Sequence, residues 1–231
     1  MFRHILGGGD IRSFIISILL SLPVILLSLS LHETAHGFAA WRLGDPTARS
    51  MGRLTLNPLK HLNPIGTLCM LVAGFGWANP VPINSRDFRK PRRDIALVSL
   101  AGPLSNLLLA LCFVLLLRFV GFGWLSTLSY PTQFAANAAS FFIIFLYYGV
   151  SMNVTLAVFN LLPVPPLDGS RILFALLPPR LYFKFARYER YIVIAVMILL
   201  VLGPLSIFIN WVCGFIIKGL FALVGMSGFL I

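Results

Sequence analysis

Between residues 13 and 41 the sequence is almost wholly apolar. The only side chains there with formal charge or an imidazole are His32, Glu33 and His36. An ionisable group near the centre of a bilayer costs roughly 2.5–3.5 kcal/mol on insertion scales, so three within five residues require a compensating partner. A divalent cation is such a partner, because histidines at i and i+4 share one helix face and can chelate it together. The run is also long enough to cross a bilayer as a helix. The chain must therefore carry metal-binding chemistry at membrane depth.

Composition agrees with this. Of 231 residues, 58% are hydrophobic and 11% charged, against about 25% charged in soluble domains. The net charge of +11 suggests nucleic acid until the cations are located. Fourteen of the 18 Lys and Arg fall in two windows, nine in residues 42–93 and five in residues 171–190. Two apolar segments separate the windows, so both can face one side, which the positive-inside rule makes the cytoplasm. Basic juxtamembrane loops account for the charge, and no nucleic-acid partner is expected. Cys69, Cys112 and Cys213 are scattered without Cys-x-x-Cys spacing and read as small buried hydrophobes. The first apolar run lacks a cleavage site and ends in the metal motif, so it reads as a retained helix rather than a signal peptide.

The pattern predicts an all-α polytopic membrane protein: a bundle of about 5–6 transmembrane helices, with a re-entrant or interfacial β-like hairpin between the first two. The first helix is expected over residues 13–43, kinked at Pro23 and stopped by Gly44-Asp45-Pro46. Ten residues separate His32 from Arg42, or roughly 15 Å of helix, which sets the motif below the cytoplasmic surface but within reach of it. Residues 45–94 hold six prolines and a short apolar piece at 65–78, with a strand expected around Gly52-Arg53-Leu54-Thr55-Leu56. Further spans are expected at 95–119 and 134–159, joined by an uncharged loop, 121–133, on the outer face. A Pro-rich break at 160–169 follows. Apolar runs at 191–201 and from 205 onward complete the chain, with Gly203-Pro204 as a kink or turn between them. The expectation is one integral-membrane domain, 1–231, with a catalytic core at 13–171 and C-terminal helices at 190–231.

A catalytic zinc site has three protein ligands and an open position. His32 and His36 supply two, and Glu33 is the natural base. Of the seven carboxylates, Asp10, Asp45, Asp87, Asp94 and Glu189 lie beside basic residues or in turns, where ordinary solvation explains them. Asp168, in the Pro-rich break, remains as the third ligand, at a depth the topology makes similar to that of the histidines. His61 is expected at the interface beside Lys60 rather than on the metal, and His4 in the tail carries little weight.

The chain resembles the site-2 protease class of intramembrane zinc metalloproteases. The resemblance rests on His32-Glu33-x-x-His36-Gly37, Gly102-Pro103-x-x-Asn106 and Asn160-x-x-Pro163-x-x-Pro166-x-Asp168-Gly169, in that order and in those spans. It implies one Zn2+ per chain on His32, His36 and Asp168, water activation by Glu33, and substrate or oxyanion support from Asn160. Asn106 is either polar support for the site or a helix-packing amide. The sequence has neither an inserted PDZ domain nor a nucleotide-sensing domain, and Ser170 stands where a second glycine is common. It is similar to the compact branch of the class.

The expected function is hydrolysis of peptide bonds within or next to transmembrane segments of other membrane proteins. The partners are then a transmembrane protein substrate and the lipid bilayer, with homo-oligomerisation left open. Asn79, Pro80 and Val81 are candidates for docking a substrate unwound into an extended form. The expected location is the cell membrane, multi-pass, with the active site near the cytoplasmic side. The rival reading is a non-proteolytic membrane protein with a structural or transport-related metal site. It has no use for Glu33.

Overall fold

The computed structural model describes residues 11–63, 65–66, 79–125, 128–130 and 132–227. Helices dominate: α1 (Ile11–Arg42), the short α2 (Thr47–Ser50), α3 (Pro91–Leu116), α4 (Gln133–Asn160), α5 (Asp168–Leu176), α6 (Pro179–Leu202) and α7 (Pro204–Leu223). Four of them are long and apolar enough to cross a membrane, over Ile18–Arg42, Pro91–Gly123, Gln133–Asn160 and Pro204–Leu223. Beyond Leu116, α3 continues into a wider helical stretch, Leu117–Trp124. Large apolar side chains point outward along these helices, among them Leu108 at 63% and Phe215 at 75% exposure. In water such surfaces invite aggregation, whereas in lipid they are the solvated face.

The described residues divide into two compact units at Gly102–Pro103. In the first, α1 runs unbroken through Pro23. Its serines use their own helix: Ser28 Oγ donates to Val24 O at 2.6 Å and Ser30 Oγ to Leu26 O at 2.7 Å, which satisfies hydroxyls that lipid would leave bare. Gly44, at φ +113°, ends the helix, with Asp45 N donating back to Ala40 O at 3.0 Å. This is the left-handed glycine cap of a Schellman turn. A small core of Ala40, Phe88 and Val98, flanked by Ala39, Leu43, Ile83 and Ile95, joins the end of α1 to the start of α3.

The segment between α1 and α3 departs from expectation. No strand is present there among the described residues. At Gly52-Arg53-Leu54-Thr55-Leu56, Arg53 N closes a turn onto Ala48 O. The Thr55 carbonyl accepts from Thr34 Oγ1 at 2.6 Å and faces His61 Nε2 at 2.7 Å. These groups bond to α1 and to their own loop, so no ladder forms. Most of the apolar piece at 65–78, with Cys69, lies outside the described residues, as do Asp10 and His4. Asp45 and Asp94 are not solvated surface acids; they are 0% and 2% exposed. Asp45 accepts Thr47 N and Asn84 N at 2.9 and 2.7 Å. Asp94 accepts Lys90 N at 2.9 Å and pairs with Arg93. Each ties loop backbone to a helix end, a use of the carboxylate that charge spacing does not reveal. His61, at 1% exposure, is likewise buried within the loop.

In the second unit α4 packs against α7. Val150, Val154 and Ala157 on one helix and Ile209, Cys213, Ile217 and Phe221 on the other are buried, and Tyr147 meets Phe221 edge-on at 6.3 Å. Gly149 of α4 lies flat against Phe113 of α3; a Cβ there would be 2.6 Å from the ring. Small residues permit this close approach where lipid provides no hydrophobic drive between helices. Helix α6 is continuous from Pro179, so four cations of the second basic window, Arg180, Lys184, Arg187 and Arg190, share one helix with the apolar run at 191–201, while Arg171 lies on α5. Gly203, at φ +106°, turns the chain from α6 into α7.

Candidate metal centre

His32 and His36 are 5% and 6% exposed. Their rings stand perpendicular with centroids 4.6 Å apart, and their Nε2 atoms are 3.0 Å apart. On the far side of its ring, His36 Nδ1 lies 2.7 Å from Val98 O. A carbonyl only accepts, so Nδ1 carries the proton and Nε2 of the neutral ring holds a lone pair towards His32. Two nitrogens each 2.0–2.1 Å from one tetrahedral ion lie about 3.3 Å apart, so the pair is already close to chelating separation.

Gly102 explains how the rings fit against α3. A Cβ built on it would sit 2.5 Å from His36 Nε2 and 2.6 Å from His32 Cε1. Any side chain there would displace the imidazoles or fill the position of a shared ion. Gly37, directly after the motif, serves a similar purpose on the opposite flank. Its missing Cβ would be 3.2 Å from both Ala48 Cβ and Val81 Cγ1 and 3.3 Å from Leu54 Cδ1. Glycine thus lets the loop press onto α1 right beside His36.

Glu33 is half-buried, and its Oε2 accepts the backbone N–H of Val81 at 2.9 Å. Val81 lies between Pro80 and Pro82, which have no N–H to give. Neighbouring backbone is also engaged: Asn79 N donates to His61 O at 2.7 Å, and Arg53 Nη2 donates to Asn79 O at 2.8 Å and Pro80 O at 3.3 Å. The candidate docking segment 79–81 therefore has its backbone donors committed to Glu33 and His61 and two of its carbonyls to Arg53.

In the second unit, Asp168 is 8% exposed and opens α5. The chain reaches it through a compact reversal after α4, with Leu162 N bonded to Phe159 O and Leu167 N to Val164 O. A Cβ on Gly169 would run into the carbonyl oxygens of Leu161 and Leu162, so only glycine allows the reversal to close. Ser170, in place of a second glycine, is buried and donates its Oγ to Leu167 O at 2.7 Å. Asn160 Nδ2 donates to Leu156 O at 3.0 Å, which uses one of its two amide protons. Asn106 is 0% exposed, and neither polar atom of its amide has a hydrogen-bond partner among the described residues.

Among the described residues, His32, His36 and Asp168 are a set able to hold a metal ion, each offering one ligand atom. Two imidazole nitrogens and a carboxylate oxygen suit zinc and leave a fourth position open. Residues 20–203 match Peptidase family M50. The chain belongs to this family, that of the site-2 proteases. The M50 chain is 45% identical over 188 residues to "Putative zinc metalloprotease YwhC" of Bacillus subtilis (strain 168), covering 81% of this chain and 82% of that protein. It is 34% identical over 186 residues to "Putative zinc metalloprotease Rip2" of Mycolicibacterium smegmatis, covering 78% and 66%. Against the Rip2 of Mycobacterium tuberculosis (strain H37Rv) identity is 32% over 208 residues, covering 87% and 73%. No solved structure matches. With four helices among the described residues long and apolar enough to cross a membrane, and with this family, the M50 chain is a multi-pass membrane metalloprotease. Sequence reading missed Thr34, which ties the loop to α1 from within the metal motif, and Arg53, His61 and Asp45, which bind the loop backbone together; the only signal for the last three was an unexceptional position in a basic, Pro-rich stretch.

Proposed function

We propose that the M50 chain hydrolyses peptide bonds within or next to transmembrane segments of other membrane proteins, using one zinc ion on His32, His36 and Asp168. The observation that carries this reading is the pairing of two buried imidazoles, Nε2 to Nε2 at 3.0 Å, on the helix turn that also bears Glu33. Two neutral ligands and one anionic one would leave a bound divalent ion with net positive charge.

When bound there, zinc supplies Lewis acidity to the scissile carbonyl and to water. Glu33 takes the proton from water and returns it to the leaving amine. His36, fixed through Nδ1 by Val98 O, would offer its other nitrogen as a ligand. Asn160 has a second amide proton to offer an oxyanion. Asn106 lies one helical turn beyond Gly102, on the same face of α3, and its unpartnered amide suits polar support of the site. Docking beside Asn79, Pro80 and Val81 remains part of the proposal, through the exposed Pro80 ring rather than through a backbone ladder.

We place the protein in the cell membrane as a single catalytic domain, with the site near the cytoplasmic side where the basic windows flank α1, α3 and α6. A fifth membrane helix is proposed in α6. Its apolar part is residues 191–202.

The test uses purified protein in detergent, wild type beside Glu33→Gln, with zinc content and cleavage of single-span membrane substrates measured together. Stoichiometric zinc in both and cleavage by wild type alone is the expected result. Equal cleavage by both would remove Glu33 from the mechanism, and absence of zinc from both would remove the site.

A further inference from the structure

We infer that Arg53 is a positioning residue for Glu33, acting through the loop backbone at 79–81. The inference rests on the proposed role of Glu33 and deepens it. It identifies what holds that carboxylate in a productive direction.

The physical chain begins at Glu33. On a helix its carboxylate can swing through several rotamers, and general-base work needs one of them. The Val81 N–H fixes Oε2 at 2.9 Å, a charge-assisted bond stronger than a neutral one. That donor is useful only if residue 81 stays in place. Proline on both sides removes competing donors and stiffens the backbone, and the Val81 side chain is seated against Gly37. The loop itself, however, is irregular backbone without helix or strand to hold it.

Arg53 supplies the missing restraint. Its guanidinium donates from Nη1 to Lys60 O at 2.5 Å and from Nη2 to Asn79 O and Pro80 O. One planar fork thus clamps the stretch entering the loop to the stretch leaving it, one and two residues before Val81. No carboxylate pairs with Arg53 among the described residues, so its charge is directed wholly at carbonyl dipoles. Lysine cannot reproduce this, being a single ammonium without the fork. His61, through Asn79 N, and Asp45, through Asn84 N, anchor the same strap on either side. Among the described residues, Arg53 is what grips the carbonyls leading into the residue that holds Glu33.

The experiment compares full-length wild type, Arg53→Lys, Arg53→Gln, Glu33→Asp and the Arg53→Gln/Glu33→Asp double variant in detergent. It reads zinc content, kcat and KM on one single-span substrate, and amide hydrogen exchange of the peptide containing Val81. The expected result is unchanged zinc, KM within about twofold, and kcat lowered roughly tenfold to hundredfold by Arg53→Gln and less by Arg53→Lys, the range that an ångström-scale misplacement costs. Exchange at Val81 should quicken in both Arg53 variants. Glu33→Asp already shortens the carboxylate away from Val81, so Arg53→Gln should cost less on that background than on wild type. Faster Val81 exchange with wild-type kcat would overturn the inference, as would loss of zinc in step with kcat, which marks a merely structural arginine. Additive losses in the double variant would also overturn it. A zinc-loaded wild type that cleaves nothing would instead bring down the underlying reading of Glu33, and this inference with it.

Discussion

His36 turns one ring nitrogen onto Val98 O at 2.7 Å and the other onto His32 Nε2 at 3.0 Å. The first contact decides the tautomer, and the tautomer makes the second nitrogen a ligand. One metal-binding residue is therefore oriented by the backbone of α3, 62 residues away in the chain. This makes the centre dependent on how closely α1 and α3 approach, which exposes it to substitutions that touch neither ligand.

Gly102→Ala is the sharpest case. Its methyl group would lie 2.5 Å from His36 Nε2, so zinc affinity should fall by roughly tenfold to hundredfold, the scale of supporting-residue effects. Helix content by circular dichroism should be unchanged. Wild-type zinc affinity in this variant would show that the rings do not depend on the α3 backbone.

Metal removal should be reversible. Dialysis against a zinc chelator should abolish cleavage, and added zinc should restore it to wild type but not to His36→Ala, which lacks a ligand. Titrating the metal back while following cleavage gives the stoichiometry, expected at one per chain. Activity surviving complete zinc removal would contradict the proposed chemistry.

Asp168→Asn keeps the shape of the side chain and removes its charge. The zinc dissociation constant should rise at least about tenfold, with little change in thermal stability because the reversal is held by Gly169 and by backbone bonds. A competition assay with a fluorescent zinc indicator reads this directly. An unchanged dissociation constant would require a different third ligand.

Gly149→Ala tests packing away from the site. The added methyl would meet the Phe113 ring at 2.6 Å, and overpacking of this kind costs about 1–3 kcal/mol. Thermal unfolding in detergent should begin earlier, with zinc content unaffected. Combining it with Phe113→Leu should recover part of the loss, since the two sites share one contact. A stability equal to wild type would mean that the helices shift apart freely.

Gly37→Ala should behave differently from either. Its Cβ would press Ala48 and Val81 at 3.2 Å, tight but not impossible, so turnover should fall several-fold through Val81 while zinc is retained. Loss of zinc comparable to Gly102→Ala would show that the two glycines support the same element.

The sequence by itself determined the membrane character, the helices near residues 13–43, 95–119 and 134–159, and the His32-Glu33-x-x-His36 turn. Hydropathy, helical periodicity and i, i+4 spacing are local, and lipid leaves an apolar run few alternatives to a helix. It also singled out Asp168, because unexplained acids are rare in such a chain. Only the tertiary structure decided what surrounds these residues. The bond from Val81 to Glu33 joins residues 48 apart and that from Arg53 to Asn79 joins residues 26 apart, through backbone groups that every sequence possesses. Asp45 and His61 looked like surface residues because neighbouring charges suggested solvent, yet both are buried anchors of an irregular loop. Where backbone is neither helix nor strand, its hydrogen bonds follow no period, and their partners are set by where the chain folds back.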